Sequence, residues 1–246
     1  MKKLTRLLGS WVFALAISNA AWAQSRPNQV LDEMIQSLGG PVFLDVKEIH
    51  ASGRFFSFSR GELSGSDVYV DYIKFPDMER TEFGRVRNKS ITINKGNEGW
   101  KIEVKKEPEP QSTAQVQEFL TNFKTSFDYV LRFAVKHPQT TIQNLSSEII
   151  DFKRTDVVEL RDAAKNRIRF YIDRDNKLPV KMQVRRTNES AVQEELYSNW
   201  HKFQGVMTPL LVTRFTDRVK TMEIRAETVS YNSGLSDSLF EAPASK

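Results

Sequence analysis

The chain has 246 residues, no cysteine and a formal net charge of +5. The charge is unevenly placed, because residues 1–23 carry Lys2, Lys3 and Arg6 and no acidic residue. From Gln24 onward 33 basic side chains face 31 acidic ones, which leaves a net charge of +2. Because the remaining lysines and arginines alternate with acids instead of clustering, the sequence predicts no nucleic-acid partner.

Residues 1–23 have the pattern of a secretory signal peptide. A basic start precedes an apolar run over residues 7–17, and Ala21-Trp22-Ala23 matches the small-x-small pattern of a cleavage site. The run is well short of the roughly 20 apolar residues that span a bilayer. We therefore predict cleavage after Ala23 and a soluble mature chain of residues 24–246. With no cysteine to be lipidated or to form a disulfide, its core must hold it together alone.

The sequence pattern in the first half of the mature chain predicts one helix followed by strands. Apolar residues at helical spacing predict a helix over about 27–38, with Pro27 at its first position and Gly39-Gly40 ending it. From Val42 to Lys105 the period changes to two, which is typical of strands with one wet face. Residues 91–104 read as a hairpin around Lys95-Gly96-Asn97, and residues 105–111 as a loop.

The second half predicts a longer helix and then strands only. One apolar face runs through about 113–135, with Ser112 as the N-cap and His137-Pro138 as the stop. Strands are predicted over about 149–152, 157–160, 168–172, 180–184, 194–203, 209–216 and 220–231. Since the connections have hairpin length, the order of elements predicts an α+β fold in which an antiparallel sheet carries helices on one face.

The residue patterns of common catalytic and metal sites are missing from the sequence. His50, His137 and His201 lie far apart, and none has a second ligand three or four residues away. The stretch that begins at Asp173 has Leu178 where a calcium loop needs glycine. Ser64 lacks the G-x-S-x-G spacing of a hydrolase nucleophile. We therefore predict no catalytic residue, no metal site and no cofactor.

Aromatic residues are the most distinctive remaining feature. Fourteen of the 16 phenylalanines lie between positions 43 and 215. Such residues form either a filled core or the wall of an apolar cavity between a helix and a sheet. Composition favours the filled core, and the sequence alone does not decide between the two.

Five segments, in this order along the chain, resemble the LolA/LolB-like superfamily of envelope lipoprotein carriers. They are Lys74-Phe75-Pro76-Asp77-Met78-Glu79-Arg80, the Gly96–Trp100 turn, the Arg169–Lys181 hairpin, the Asn199–Leu210 segment and the ending from Glu223 to Pro243. The first is similar to the family's K-x-P-D-x-x-R turn, the second to its G-x-x-G-W hairpin and the last to its D-x-L-F-x-x-P tail. Each motif is weak alone, and the ordered set is more specific.

The resemblance implies one domain over residues 24–246, an open, strongly curved antiparallel sheet (a half-barrel) with helices covering its concave face. It also implies a periplasmic carrier that performs no bond chemistry and shelters a lipid or the acyl chains of a lipoprotein. Its partners would be this cargo, an inner-membrane donor and an outer-membrane acceptor, with transient contact to a membrane surface. Strand parity and the helix face then assign these residues to the cavity wall: Phe56, Phe58, Val68, Val70, Tyr72, Phe119, Phe123, Phe127, Ile168, Phe170, Ile172, Val180, Met182 and Val184.

Two other functions stay open from the sequence. The same fold could serve an envelope sensor that detects mislocalised lipids and signals to a protein partner. Dispersed serine and acidic residues could also assemble a hydrolase site in three dimensions. Bound acyl species would favour the carrier or the sensor, whereas turnover of an ester would favour the hydrolase.

Overall fold

The computed structural model describes residues 20–242, so most of the predicted signal peptide (1–23) lies outside the described residues. Four α-helices occur in this part of the chain: α1 (Ala20–Leu38), α2 (Pro41–Leu44), α3 (Thr113–Lys124) and α4 (Phe127–Arg132). Two short 3-10 helices follow, over Ala134–Lys136 and Asp237–Phe240.

Thirteen strands form one sheet within residues 20–242, and every pair of neighbouring strands is antiparallel. They are β1 (Glu48–Ser59), β2 (Glu62–Lys74), β3 (Met78–Phe83), β4 (Ser90–Lys95), β5 (Glu98–Glu103), β6 (Glu109–Pro110), β7 (Thr141–Ile150), β8 (Lys153–Arg161), β9 (Arg167–Asp173), β10 (Pro179–Arg185), β11 (Val192–Phe203), β12 (Val206–Thr216) and β13 (Val219–Tyr231).

The strand order places the first and last strands of the described chain side by side. The order across the sheet is β6-β5-β4-β3-β2-β1-β13-β12-β11-β10-β9-β8-β7, so β1 pairs with β13 in the middle. Strands β6 and β7 are the two edges and do not pair with each other, which leaves the sheet open. Between them in the sequence lie α3 and α4, so these helices cross from one edge of the sheet to the other.

One face of the sheet, here called the inner face, meets the helices. It carries Ile49, Tyr69, Phe170, Met182 and Tyr197, all of which are buried. The core cluster joins inner-face residues to the apolar stripe of α1, formed by Leu31, Met34, Ile35 and Leu38. Each such side chain contributes about 1.5–3 kcal/mol when it leaves water completely. This burial fixes α1 against the sheet.

Several predicted turns and caps are confirmed. Gly39 and Gly40 end α1 with positive φ angles of 130° and 57°. Ser112 caps α3 in a capping box with Gln115. The hairpin around Gly96 joins β4 to β5. The prediction of an antiparallel sheet with a few helices is therefore confirmed, and the sheet is open as the family resemblance implies.

Some predicted boundaries are wrong. The helix predicted over 113–135 is broken after Lys124, because Thr125 bonds back to the Thr121 carbonyl and Ser126 turns extended to cap α4. The strand predicted from Val42 begins at Glu48, since Pro41–Leu44 forms α2. The strand predicted over 149–152 is the end of β7 and a turn. Helix α1 begins before Pro27, at Ala20.

Candidate functional site: an apolar cavity with a charged end

A cavity of about 310 Å³ lies between the α3–α4 segment and the inner face of the central strands. This volume is at the lower end of the roughly 300–1,000 Å³ of small-molecule sites. The helices contribute Phe119, Phe123 and Phe127, and the strands contribute apolar side chains from β1, β2, β12 and β13. Those strand residues are Ile49, Ile73, Val212, Ile224 and Val229. We call this space the apolar cavity.

Aromatic pairs hold the helical wall of the apolar cavity in place. Phe123 stands 5.8 Å from Phe75 and 5.3 Å from Phe119, measured between ring centroids. Phe127 packs edge-on against Phe43 at 6.3 Å and lies 5.1 Å from Tyr197 of the sheet. The tilted and edge-on contacts between these rings stabilise the wall.

Arg132 of α4 stabilises the helical wall of the apolar cavity from the side that faces away from the cavity. Its Nε donates to the Phe43 carbonyl at 3.0 Å, and its Nη1 donates to the Asp128 carbonyl and carboxylate. The guanidinium also lies 4.0 Å above the Phe43 ring and 5.3 Å from the centroid of Phe75. One buried cation therefore joins α4 to α2 and to the turn after β2.

A second space of about 420 Å³, here called the polar recess, adjoins the apolar cavity. Both spaces are lined by Glu79, Phe119, Asn122, Ser126, Glu195 and Arg214, so they meet at these residues. The polar recess adds hydroxyl and amide side chains from Thr125, Gln193, Thr216 and Thr221. The combined space therefore runs from an apolar region to a polar one.

Charged side chains mark the junction of the two spaces. Arg214 Nε donates to Glu195 Oε1 at 2.5 Å, and the Tyr197 hydroxyl donates to the other oxygen of Glu195 at 2.6 Å. The Thr81 hydroxyl donates to Asp71 at 3.0 Å. Glu79 has no hydrogen-bond or ion-pair partner among the described residues.

The surroundings of these carboxylates change their proton affinity. Burial raises the pKa of Glu79 to about 8, and the nearby charge of Asp71 adds to this while Arg214 opposes it. Burial also raises the pKa of Asp71 to about 6, against the opposing effects of the Thr81 hydrogen bond and Arg214. The pKa of Tyr197 is raised as well, first by burial and then by the charge of Glu195. The Glu195 carboxylate, in contrast, holds the pKa of Arg214 above its ordinary value.

Of the sequence-predicted cavity residues, the three on the helices line the apolar cavity: Phe119, Phe123 and Phe127. Met182 and Val184 of β10 line the polar recess. On β9, Ile168, Phe170 and Ile172 share the inner face but are 0–1% exposed, and they belong to the filled core. Val180 is half-buried at the start of β10.

The five predicted residues on β1 and β2 lie elsewhere. On β2 the apolar cavity is lined by Tyr69, Asp71 and Ile73, so the alternate residues Val68, Val70 and Tyr72 point to the other face. Phe56 pairs with Ser66 on that same outer face. The parity assigned to β2 needs this correction because both of its faces carry apolar side chains, so alternation alone does not choose between them.

Two of the three phenylalanines of β1, Phe56 and Phe58, are covered by cations on the outside of the sheet. The Arg225 guanidinium lies 5.0 Å from the centroid of the Phe56 ring, and the Lys220 ammonium lies 4.1 Å from that of Phe58. Both cations also pair with Glu223. These two aromatic rings are therefore part of a charged outer surface.

The residues that sequence reasoning missed are the charged ones, Glu79, Glu195 and Arg214. They come from β3, β11 and β12, and no local motif links them. One weak signal was present, since Arg214 and Val212 occupy alternate positions of one strand and so share a face. Among the described residues no group of three or more potential metal ligands is close enough to hold a metal ion. No described helix is long and apolar enough to span a membrane.

The architecture and the cavity together define a class: an open antiparallel sheet that encloses an apolar space with a few helices. Comparison with solved structures supports this architecture, whereas comparison of sequences finds no match. No protein-family model and no curated protein sequence matches the chain. Solved structures do match it, and three of them cover 87–88% of the chain and 96–97% of their own length.

The first of these structures is a DUF1329 family protein from Desulfovibrio piger, 14% identical with a TM-score of 0.61. The second is a putative outer membrane lipoprotein-sorting protein domain from Vibrio parahaemolyticus, 11% identical with a TM-score of 0.57. The third is a LolA superfamily protein from Nitrosomonas europaea, 15% identical with a TM-score of 0.54. The chain therefore has a LolA-like fold, and the resemblance found in the sequence is confirmed at the level of the fold.

Proposed function

We propose that the protein is a carrier of the bacterial periplasm that holds a lipid, or the acyl chains of a lipoprotein, in the apolar cavity. The observation that carries this proposal is the cavity itself, an apolar space walled by Phe119, Phe123 and Phe127 on a LolA-like fold. Acyl chains need such a space, because each buried methylene contributes about 0.8 kcal/mol. A small cavity limits the total affinity, which lets the cargo leave again.

A curved sheet with α3 and α4 over its concave face is part of this proposal. Glu79 on β3 and Arg214 on β12 line the same two spaces, although three strands lie between β3 and β12 in the sheet. In a flat sheet four steps between strands amount to ~19 Å, at roughly 4.8 Å per step. A shared recess is therefore evidence that the sheet bends around the helices.

Transport in the periplasm completes the proposal. Residues 1–23 would direct export and be removed, and the cargo would pass from an inner-membrane donor to an outer-membrane acceptor with brief contact to the membrane surface. The lipoprotein-sorting description of the Vibrio parahaemolyticus structure supports this direction. The protein would make and break no covalent bond, since the task is to shield apolar surface.

A binding titration tests the proposal. A fluorescent monoacylglycerol, which carries no charge, should bind one molecule per chain and gain fluorescence in an apolar environment. Phe123→Glu should abolish the signal, because it places a carboxylate in the wall of the apolar cavity. The matched control is Phe152→Glu, whose side chain is fully exposed in a turn and should leave binding unchanged.

A far-UV circular dichroism spectrum of each variant separates lost binding from lost folding. Absence of probe binding to the wild-type protein would contradict the proposal. Equal binding by wild type and a folded Phe123→Glu variant would show that the probe lies elsewhere. A stable protein partner without bound lipid would instead favour the sensor function.

A further inference from the structure

Three charged residues lie together at one end of the apolar cavity, which gives a bound molecule a direction. Glu79, Glu195 and Arg214 line both the apolar cavity and the polar recess, whereas Asp71 and Asp128 line the apolar cavity only. An amphiphile whose tail occupies the aromatic end therefore has its head at this junction. The charge of the junction then decides which heads are accepted.

Acidic groups outnumber basic ones at the junction. Glu79 and Glu195 contribute two carboxyl groups there, Asp71 adds a third from the apolar side, and Arg214 contributes one guanidinium. Arg214 is already paired with Glu195 at 2.5 Å. An anionic head that approaches the remaining N–H groups of Arg214 would still lie beside Glu195 and near two more acids. A cationic head can instead approach Glu79, which has no partner among the described residues.

Charged and titratable groups on the surrounding elements do not reverse this balance. On α4, Asp128 is held by Arg132, and on α3, Glu118 is paired with Arg186 at 3.2 Å. Strands β2, β11 and β13 add the phenols Tyr69, Tyr197 and Tyr231, whose pKa values are all raised by burial, so they stay uncharged near neutral pH. The inner-face residues of β1 and β10 at these spaces are uncharged.

We propose that the cavity selects amphiphiles with a cationic head group, which lies between Glu79 and Asp71 while the tail fills the apolar cavity. This inference rests on the proposed carrier function and adds the chemical class of the ligand. The head is recognised by charge and hydrogen bonding, so a primary amine and a quaternary ammonium both satisfy it. Only an amine also donates hydrogen bonds to the two carboxylates.

Binding of a cationic head should be coupled to release of a proton from Glu79. Burial keeps the Glu79 carboxyl protonated in the free protein up to about pH 8, where its pKa lies. A cation beside it stabilises the charged form and therefore lowers this pKa, so binding releases a proton. Affinity for a permanently charged cation should rise with pH and level off above about 8. Affinity for an anion should fall over the same range.

Isothermal titration with three ligands of equal chain length tests the inference: decyltrimethylammonium, decanoate and monodecanoylglycerol, all below their micellar concentrations. At pH 7.5 the cation should bind at least tenfold more tightly than the anion. Its affinity should increase at least threefold from pH 6.5 to pH 8.5, with proton release detected by repeating the titration in buffers of different ionisation enthalpy. Glu79→Gln should reduce the preference to threefold or less and remove the rise with pH.

Glu62→Gln is the matched control, because Glu62 is exposed on β2 and should leave the preference unchanged. Equal affinities for the three ligands, or a preference for decanoate, would overturn this inference while leaving the carrier function intact. Failure of all three ligands to bind would contradict both. The wild-type pH series needs no variant, so the test stands even if Glu79→Gln folds poorly.

Discussion

Arg132 donates from Nε to the Phe43 carbonyl at 3.0 Å. This hydrogen bond joins α4 to α2 through two residues that are 89 positions apart in the sequence. The Arg132 side chain is only 1% exposed, and its guanidinium stacks on the Phe43 ring. Phe43 in turn packs edge-on against Phe127, which lines the apolar cavity. The position of the cavity wall therefore depends on a buried cation that never contacts the cavity.

Replacing Arg132 by lysine should destabilise the protein by about 2–3 kcal/mol. A lysine keeps the charge but not the planar fork that reaches Phe43 and Asp128 together, and a buried charge that loses hydrogen bonds is costly. Urea unfolding followed by circular dichroism measures this loss. The control is Arg54→Lys, because Arg54 is exposed and has no ion-pair partner among the described residues. A loss of less than about 0.5 kcal/mol in the free energy of unfolding of Arg132→Lys would contradict the role of Arg132 in joining α4 to α2.

Gly53 should tolerate no side chain at all. It lies at the β-bulge between β1 and β13, where a Cβ atom would stand 2.1 Å from the Arg225 carbonyl oxygen. Since that contact is with backbone, the central strand pair must shift, and Gly53→Ala should cost about 3 kcal/mol.

Gly65→Ala provides the comparison within the same sheet. Its Cβ would meet only the Ser57 hydroxyl, at 3.0 Å, and that hydroxyl can rotate away. Thermal unfolding of both variants should show a large fall in Tm for Gly53→Ala and little change for Gly65→Ala. Equal Tm values would mean that the two strands can separate without cost at the bulge.

The stability of the protein should fall as the pH rises from about 4.5 to 8. The pKa of Glu79 is raised from its ordinary 4.5 to about 8 by burial, so the folded state binds a proton that the unfolded state has lost. This stabilisation is complete below about pH 4.5 and disappears as the pH passes through 8. Asp71, whose pKa is raised to about 6, acts in the same direction at lower pH.

Glu79→Gln should flatten this pH dependence. Above pH 8 the variant should be more stable than the wild type by at least about 1.4 kcal/mol, the equivalent of one pKa unit. Denaturant unfolding at pH 5, 7 and 9 measures how the free energy of unfolding changes with pH. The exposed Glu62→Gln substitution should leave this dependence unchanged. A wild-type stability that is constant between pH 5 and 9, after correction with this control, would contradict the raised pKa of Glu79.

Local signals in the sequence were sufficient for much of the architecture. Alternating side chains, the Gly39-Gly40 stop and the Ser112 cap act over a few residues, so they predict strands and helix ends without knowledge of the fold. The break at Ser126 was missed because the apolar stripe of α3 continues through Phe127 in the same phase. Local chemistry therefore determined the type of element better than its length.

The cavity was less predictable because it depends on long-range pairing. The helical residues Phe119, Phe123 and Phe127 were found from a single apolar stripe, whereas β2 offered two apolar faces. Glu79, Glu195 and Arg214 meet only after the sheet is assembled, and each alone looks like an ordinary charged strand residue. The proximity of these charges is visible in the structure and not in the sequence pattern.

The central claim is that the apolar cavity carries a lipid or acyl chain, and native mass spectrometry tests it most directly. The protein should be purified without detergent from the envelope fraction of its own cells, and bound molecules should be extracted and identified. We predict a population of chains carrying one acyl-containing molecule each, reduced in a folded Phe123→Glu variant and unchanged in Phe152→Glu. A protein that is ligand-free in this preparation and also ignores the fluorescent monoacylglycerol would contradict the claim.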